Sequence, residues 1–216
     1  MRYSSIEQAL SVSRFSTYRN AVIAATGDDC RETALKLYEW NAQLSSRFFF
    51  SLHIYEVAIR NAVSDAISMR YGVDWPANPA FLSSLPSQDR STLIKAMQRG
   101  YHGVGKLLPE LKFVWFENMM TRRHDARIWK PYIKQVFQNA PTGLTEEQIR
   151  GDLKQACYVI RKFRNRCGHH EPVFNNPRLR MILPLMAQSV EWRCPDTHMW
   201  LVNQETVTDL LANPVI

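Results

Sequence analysis

The sequence predicts an all-α fold, a single-domain helical bundle over residues 1–216, and three observations lead there. Two long stretches carry apolar residues at spacings of three and four: Phe48, Leu52, Tyr55, Ile59, Ala62 and Ala66 in one, and Ile149, Leu153, Ala156, Ile160, Phe163 and Cys167 in the other. That rhythm marks one buried stripe on each of two helices. Alternating, β-branched-rich runs are scarce, and there is no internal repeat or low-complexity tract. Finally, 216 residues with 45% hydrophobic content suit one domain with a substantial core.

Residues 4 to 25 read as one helix, with Ile6, Leu10, Phe15, Tyr18 and Val22 inward. Gly27-Asp28-Asp29 interrupts the pattern, and either aspartate can cap a second helix running through Trp40 and beyond. The first long stripe follows from Phe48 to Arg70 and ends at Tyr71-Gly72. Val73 to Pro79 is a turn-rich connection. Ser87 fits the N-cap of a helix through Met97, and Gly100, Gly103 and Gly105 mark the loop after it. Pro109 fits a first helical position ahead of Leu111, Val114, Trp115 and Met119. Arg122-Arg123-His124 leads into Ile128, Trp129, Tyr132, Ile133 and Val136. After a turn at Pro141-Thr142-Gly143, Thr145 with Gln148 three residues on forms a capping box for the second striped helix. Asn175-Asn176-Pro177 restarts the chain into a helix through Trp192, with a kink at Pro184. Cys194-Pro195-Asp196 then turns into a last helix from Asp196 to Leu211.

A net charge of +7 and a pI near 9.4 favour a polyanionic partner, either nucleic acid or an anionic membrane surface, with simple solubility as the alternative. Cys30, Cys157, Cys167 and Cys194 form no C-x-x-C pair, which suggests a reducing compartment. Met1 to Glu7 lacks an apolar signal core, and no apolar run approaches the roughly 20 residues of a membrane span. The expected setting is cytoplasmic, with no membrane.

Chemistry concentrates at Arg161-Lys162-Phe163-Arg164-Asn165-Arg166-Cys167-Gly168-His169-His170-Glu171-Pro172. Gly168 can close the helix in a left-handed conformation, and Pro172 disfavours helical geometry at Glu171. Arg164 is a permanent cation whose fork matches phosphate oxygens. His169 can exchange a proton near neutrality, and Asn165 can donate to a phosphate oxygen or fix the imidazole tautomer. These are parts for cleaving RNA without a metal or any other cofactor: a base for the ribose 2′-hydroxyl, a cation for the phosphoryl oxygens and an acid for the leaving 5′-oxygen. Five residues on a helix leave Arg164 and His169 about 140° apart. They converge only where the chain leaves the helix near Gly168, or across two facing copies; sharing no cleft would defeat the nuclease reading. A purely structural helix end, with cations favouring the dipole, is the alternative.

Glu56 and Arg60 stand four apart in the favourable order for a helical ion pair, either solvated or supporting a site. Arg161, Lys162 and Arg166 would lie near the RNA backbone in a basic cleft. Arg122, Arg123, Arg127, Lys130 and Lys134 could add contacts, whereas Trp129, Tyr132, Ile133 and Val136 at helical spacing read as core rather than stacking platforms. Cys167, His169, His170 and Glu171 are too close in sequence to converge on one metal ion unaided, and no metal site is expected. A Cys-His hydrolase on Cys167 lacks an orienting group and an oxyanion loop.

The string Arg164-Asn165-Arg166-Cys167-Gly168-His169, extended through His170-Glu171-Pro172, resembles the Arg-polar-x-x-x-His motif of HEPN domains, in particular their abortive-infection (Abi-like) branch. The resemblance extends to Leu37-Tyr38-Glu39-Trp40-Asn41 and to Leu52 through Ala62, and so covers most of the chain. Gly168 departs from it, since that family usually carries alanine there. The resemblance implies a HEPN-like bundle with additional helices, a homodimer whose paired motifs form the RNase site, and a role in phage defence or as a toxin with an antitoxin or regulatory partner. It assigns catalysis to Arg164, Asn165 and His169, with His170, Glu171, Glu56, Arg60 and Asn61 in support. Two alternatives stay open: a non-catalytic HEPN module that binds RNA, and a dimeric protein-interaction module.

Overall fold

The chain opens with α1 (Tyr3–Ala9) and α2 (Val12–Thr26), two helices where the pattern suggested one. The computed structural model describes residues 3–216, so Met1 and Arg2 of the amino-terminal reading lie outside the described residues. The break falls at Ser11, whose φ of 75° is left-handed and turns the chain out of the helix. Ile6 and Leu10 stay only half-buried, while Phe15, Tyr18 and Val22 pack with Ala34 and Leu37 in a small cluster of their own.

From Arg31 to Tyr71 runs one helix, α3, which fuses two expected stretches. No Gly or Pro interrupts it, and its 41 residues extend about 60 Å at 1.5 Å per residue. Neither expected aspartate caps it. Cys30 occupies the N-cap position, and Asp29 instead accepts from Arg19 Nε at 2.9 Å. The Phe48–Ala66 seam is buried throughout, and Gly72 ends the helix with φ 86°.

α4 (Pro79–Ser84) and α5 (Ser87–Gln98) follow; Pro86, not Ser87, holds the N-cap position of α5. After α6 (Val104–Leu107), Pro109 falls in a 3-10 turn, Leu108–Glu110. Leu111 is extended and separates that turn from α7 (Phe113–Met119), so Pro109 does not open α7. Arg122–His124 is another 3-10 turn, and Asp125–Trp129 is π-helical before α8 (Lys130–Val136). The motif helix is α9 (Glu146–Gly168), opened by the expected capping box: Gln148 N–H donates to Thr145 Oγ1 at 3.2 Å, and the Thr145 amide donates to Gln148 Oε1 at 2.8 Å. α10 (Leu179–Arg193) contains Pro184. The expected last helix is again two, α11 (Pro195–Gln204) and α12 (Val207–Ala212). Between them the Glu205 carboxylate accepts the amides of Val207 and Thr208 at 2.7 and 3.0 Å, a local acceptor that starts a new helix.

α9 packs antiparallel to α3 at the centre of the main core. Phe163 meets Phe48 edge to face at 4.6 Å, and Tyr55 Oη donates to Cys157 Sγ at 3.2 Å. All six stripe residues of α9 are buried. Each fully buried aromatic or leucine in this interface contributes roughly 1.5–3 kcal/mol. Among the described residues there is no strand, and no helix is long and apolar enough to cross a membrane.

Candidate functional site

The motif helix does not break at Gly168. It continues through that residue, His169 is the C-cap, and the left-handed residue is His170, with φ 56°. The His170 amide donates to Cys167 O at 3.1 Å and the Glu171 amide to Arg166 O at 2.9 Å. These two bonds are the Schellman pair, and they close the helix with a histidine where glycine usually sits. The chain after the motif is fastened from elsewhere. Asn41 Oδ1 accepts the amides of Val173 and Phe174 at 2.6 and 3.1 Å, and Arg14 Nη1 donates to His170 O at 2.8 Å. Asn41 is buried, and its task is positioning. Sequence reasoning did not single it out, although a polar residue on the apolar side of a helix was a signal.

On the other side of α9 lies an open cleft of about 440 Å³, walled by Glu56 and Arg60 of α3, the segment Pro109–Val114, and Arg161, Arg164 and Asn165 of α9. Glu56 organises it. One carboxylate oxygen accepts from Arg60 Nη2 at 3.0 Å and the other sits 3.3 Å from Arg164 Nε. Arg60 is fully committed: its Nη1 donates to Leu108 O and Leu111 O at 2.8 Å each, and its guanidinium lies 5.1 Å from the Phe116 ring centroid. It is a strut that binds the loop before α7 to α3. Arg164 differs, because 47% of its side chain remains exposed. Steered by one carboxylate and open to solvent, it can still receive an anion.

The remaining expected residues separate. Arg161 lines the cleft but is paired, its Nε 2.6 Å from Glu117 Oε2. Asn165 also lines the cleft. His169 is exposed at the helix end and is not among the lining residues, so Arg164 and His169 do not converge there through a break at Gly168. His170 lines a different cavity of about 350 Å³ with Tyr18, Tyr38 and Cys167. Asn61 lines a third, beside Trp200 and Arg193. Five residues past Glu56, it points about 140° away around α3. Arg166 donates through Nε to Pro172 O at 3.0 Å and lies 3.8 Å from Glu171, so both serve the loop. Lys162 sits 4.8 Å from the Tyr158 ring centroid and lies outside the cleft lining.

In the Arg122–Lys134 segment three of the five cations have partners. Arg123 Nε donates to Ser84 O at 3.3 Å, while Lys130 and Lys134 pair with Glu147 and Glu146 at 2.7 and 3.2 Å. Arg122 is exposed and outside the cleft. Trp129, Ile133 and Val136 are core, and Tyr132 is half-buried. Lys112 is the cation that sequence reasoning missed. It is exposed in the cleft wall, and no local pattern distinguished it from any other loop lysine.

Burial raises the Cys167 thiol to about 11, with Ser45 opposing, so at neutral pH it is not a nucleophile and the Cys-His hydrolase loses its thiolate. Cys157 is pushed up to about 12 for the same reason, burial. Compared with family models, with curated proteins and with solved structures, the chain finds no match in any of the three.

Proposed function

We propose that the chain is a metal-independent endoribonuclease, similar to the abortive-infection HEPN proteins and acting in phage defence or as a toxin. Arg164 and Asn165 hold the scissile phosphate and His169 moves the proton. The observation that carries this reading is the Arg164 guanidinium, aimed by Glu56 at 3.3 Å, beside Asn165, in a cleft that stays open. In the reaction the 2′-oxygen loses its proton to a base and attacks phosphorus. The bond to the 5′-oxygen then breaks, and that oxygen takes up a proton. The cleft lining contains no imidazole, so the base comes from a second copy whose His169 faces this Arg164.

Mixing inactive variants tests that arrangement. Wild type should cut mixed RNA in excess chelator, and Arg164→Ala and His169→Ala alone should not. Coexpressed, the two should recover about a quarter of wild-type activity, because half the dimers would hold one intact composite site. No recovery, with both variants folded and paired, would sink the two-copy site. A second reading, a non-catalytic RNA-binding module, is favoured by the position of His169 outside the cleft. It wins if wild type leaves every RNA intact but binds it in a salt-sensitive way. A stable dimer with no affinity for RNA would point instead to a protein-interaction module.

A further inference from the structure

We propose that the motif cleft continues into a second groove between α5 and α7, and that the two form one track for single-stranded RNA, with Lys112 at the join and Lys95 beyond it. The inference rests on reading the Arg164 cleft as an RNA site. Three residues, Glu110, Lys112 and Val114, line both the cleft and a neighbouring groove of about 400 Å³, so the two cavities adjoin across that one exposed ridge. The second groove adds Lys95 of α5 and Arg99, the residue that caps it.

Charge and availability point to a polyanion. Lys95 and Lys112 are exposed, and neither has an ion-pair or side-chain hydrogen-bond partner among the described residues. A phosphate recruits them without displacing a carboxylate. The opposing charges are accounted for: Asp89 is buried and accepts from Asn118 Nδ2 at 2.9 Å, and Glu110 faces Arg99 at 3.7 Å in an exposed pair. Such a pair is weak enough to open for a phosphate. Val114, partly exposed at the join, offers an apolar surface to a base. Cavities of this size admit a nucleotide or two each and exclude a duplex, which fits a single strand tracked by its backbone.

The test measures binding apart from cleavage. Fluorescence anisotropy with 2′-O-methyl oligoribonucleotides of about four and about twelve nucleotides spans one cavity or both. These oligonucleotides have no free 2′-hydroxyl to attack the phosphate. The longer strand should bind tighter to wild type and show the steeper salt dependence. Lys95→Gln with Lys112→Gln should lower its slope by about 1.4, at roughly 0.7 per lost contact on a single strand, and cost the short strand no more than one contact. Lys36→Gln with Lys130→Gln, charge-matched and in neither cavity, should leave the slope nearly unchanged. Equal slopes for the two double variants, or no binding to wild type, would overturn the track. RNA bound with the expected slope loss but never cut in unmodified form would defeat the nuclease reading and leave the track standing. RNA cut normally by the track variant, with its slope unchanged, would do the reverse.

Discussion

Gly168 and His170 make opposite demands on the backbone, and substituting each in turn reads the sign directly. Gly168 is helical, and a Cβ built on it would meet only Arg164 Nη1, at 3.9 Å, an ordinary contact. Alanine there removes unfolded-state freedom without strain, which is worth about 0.4–1 kcal/mol; at the last helical residue the gain should be near 0.5 kcal/mol. His170, at φ 56°, carries the Cβ penalty of the left-handed region, on the order of 1–2 kcal/mol. Glycine there should recover about 1 kcal/mol, because the loop's anchor is the His170 carbonyl, held by Arg14, and does not depend on the imidazole. Urea denaturation followed by far-UV circular dichroism measures both, with midpoints rising by a few tenths of a molar at unchanged slope. If the left-handed residue were Gly168, as the sequence alone suggested, Gly168→Ala would instead lose about 1 kcal/mol and His170→Gly would gain nothing. That pair of results would refute the Schellman closure and return the motif's turn to Gly168.

Other perturbations bear on the site and its frame. Glu56→Gln removes the one carboxylate that aims Arg164, so RNA binding at low salt should tighten a few-fold while cleavage falls; both properties falling together in anisotropy and cleavage assays would show that Glu56 does not steer. His124 is buried with an unpartnered Nδ1, and burial, with Arg127 and Arg123 nearby, pushes its pKa down to about 4 from an unfolded value near 6.5. The unfolded chain then binds the extra proton, so stability is fully present above pH 6.5 and falls by on the order of 3 kcal/mol towards pH 4. His124→Gln should flatten that limb in pH-dependent denaturation, and an unchanged limb would exclude His124 as its source. Asn41→Leu strands two amides behind the motif and should cost about 2–3 kcal/mol, read as a lower urea midpoint. Thr145→Ala removes half of the capping box and should cost about 1 kcal/mol.

Much of the fold was written in local pattern. The two apolar seams, the Thr145 cap and the end at Gly72 follow from short-range rules, and the all-helical fold follows with them. What escaped was set at longer range. Ser11 breaks a helix without Gly or Pro, because Phe15, Tyr18 and Val22 seek a cluster that Ile6 and Leu10 do not join. The continuity of α3 needed only the absence of a breaker, which a break at every change of pattern obscured. At the site, the spacing of Glu56 and Arg60 gave their pairing, but the third partner, Arg164, arrives 104 residues after Arg60 through the packing of α9. The family resemblance groups Asn61 with them, although helical geometry already turns it away. Lys112 had no pattern at all; its importance comes from the wall it stands in.

The length of α3 has a kinetic corollary. Glu56 grips Arg164 before the helix end, and Asn41, about 22 Å back along the same rod, grips the strand of loop after it. Both ends of the motif are therefore moored to one uninterrupted helix, and neither mooring can slip by small local fraying. Backbone amides from Arg164 to Phe174 should exchange with deuterium at the slow rate of the middle of α3, as one cooperative unit, although several lie at the surface. On the proposed nuclease reading, this loop would meet RNA already set, and a silencing partner would have to cover it, since it has little freedom to be bent out of shape.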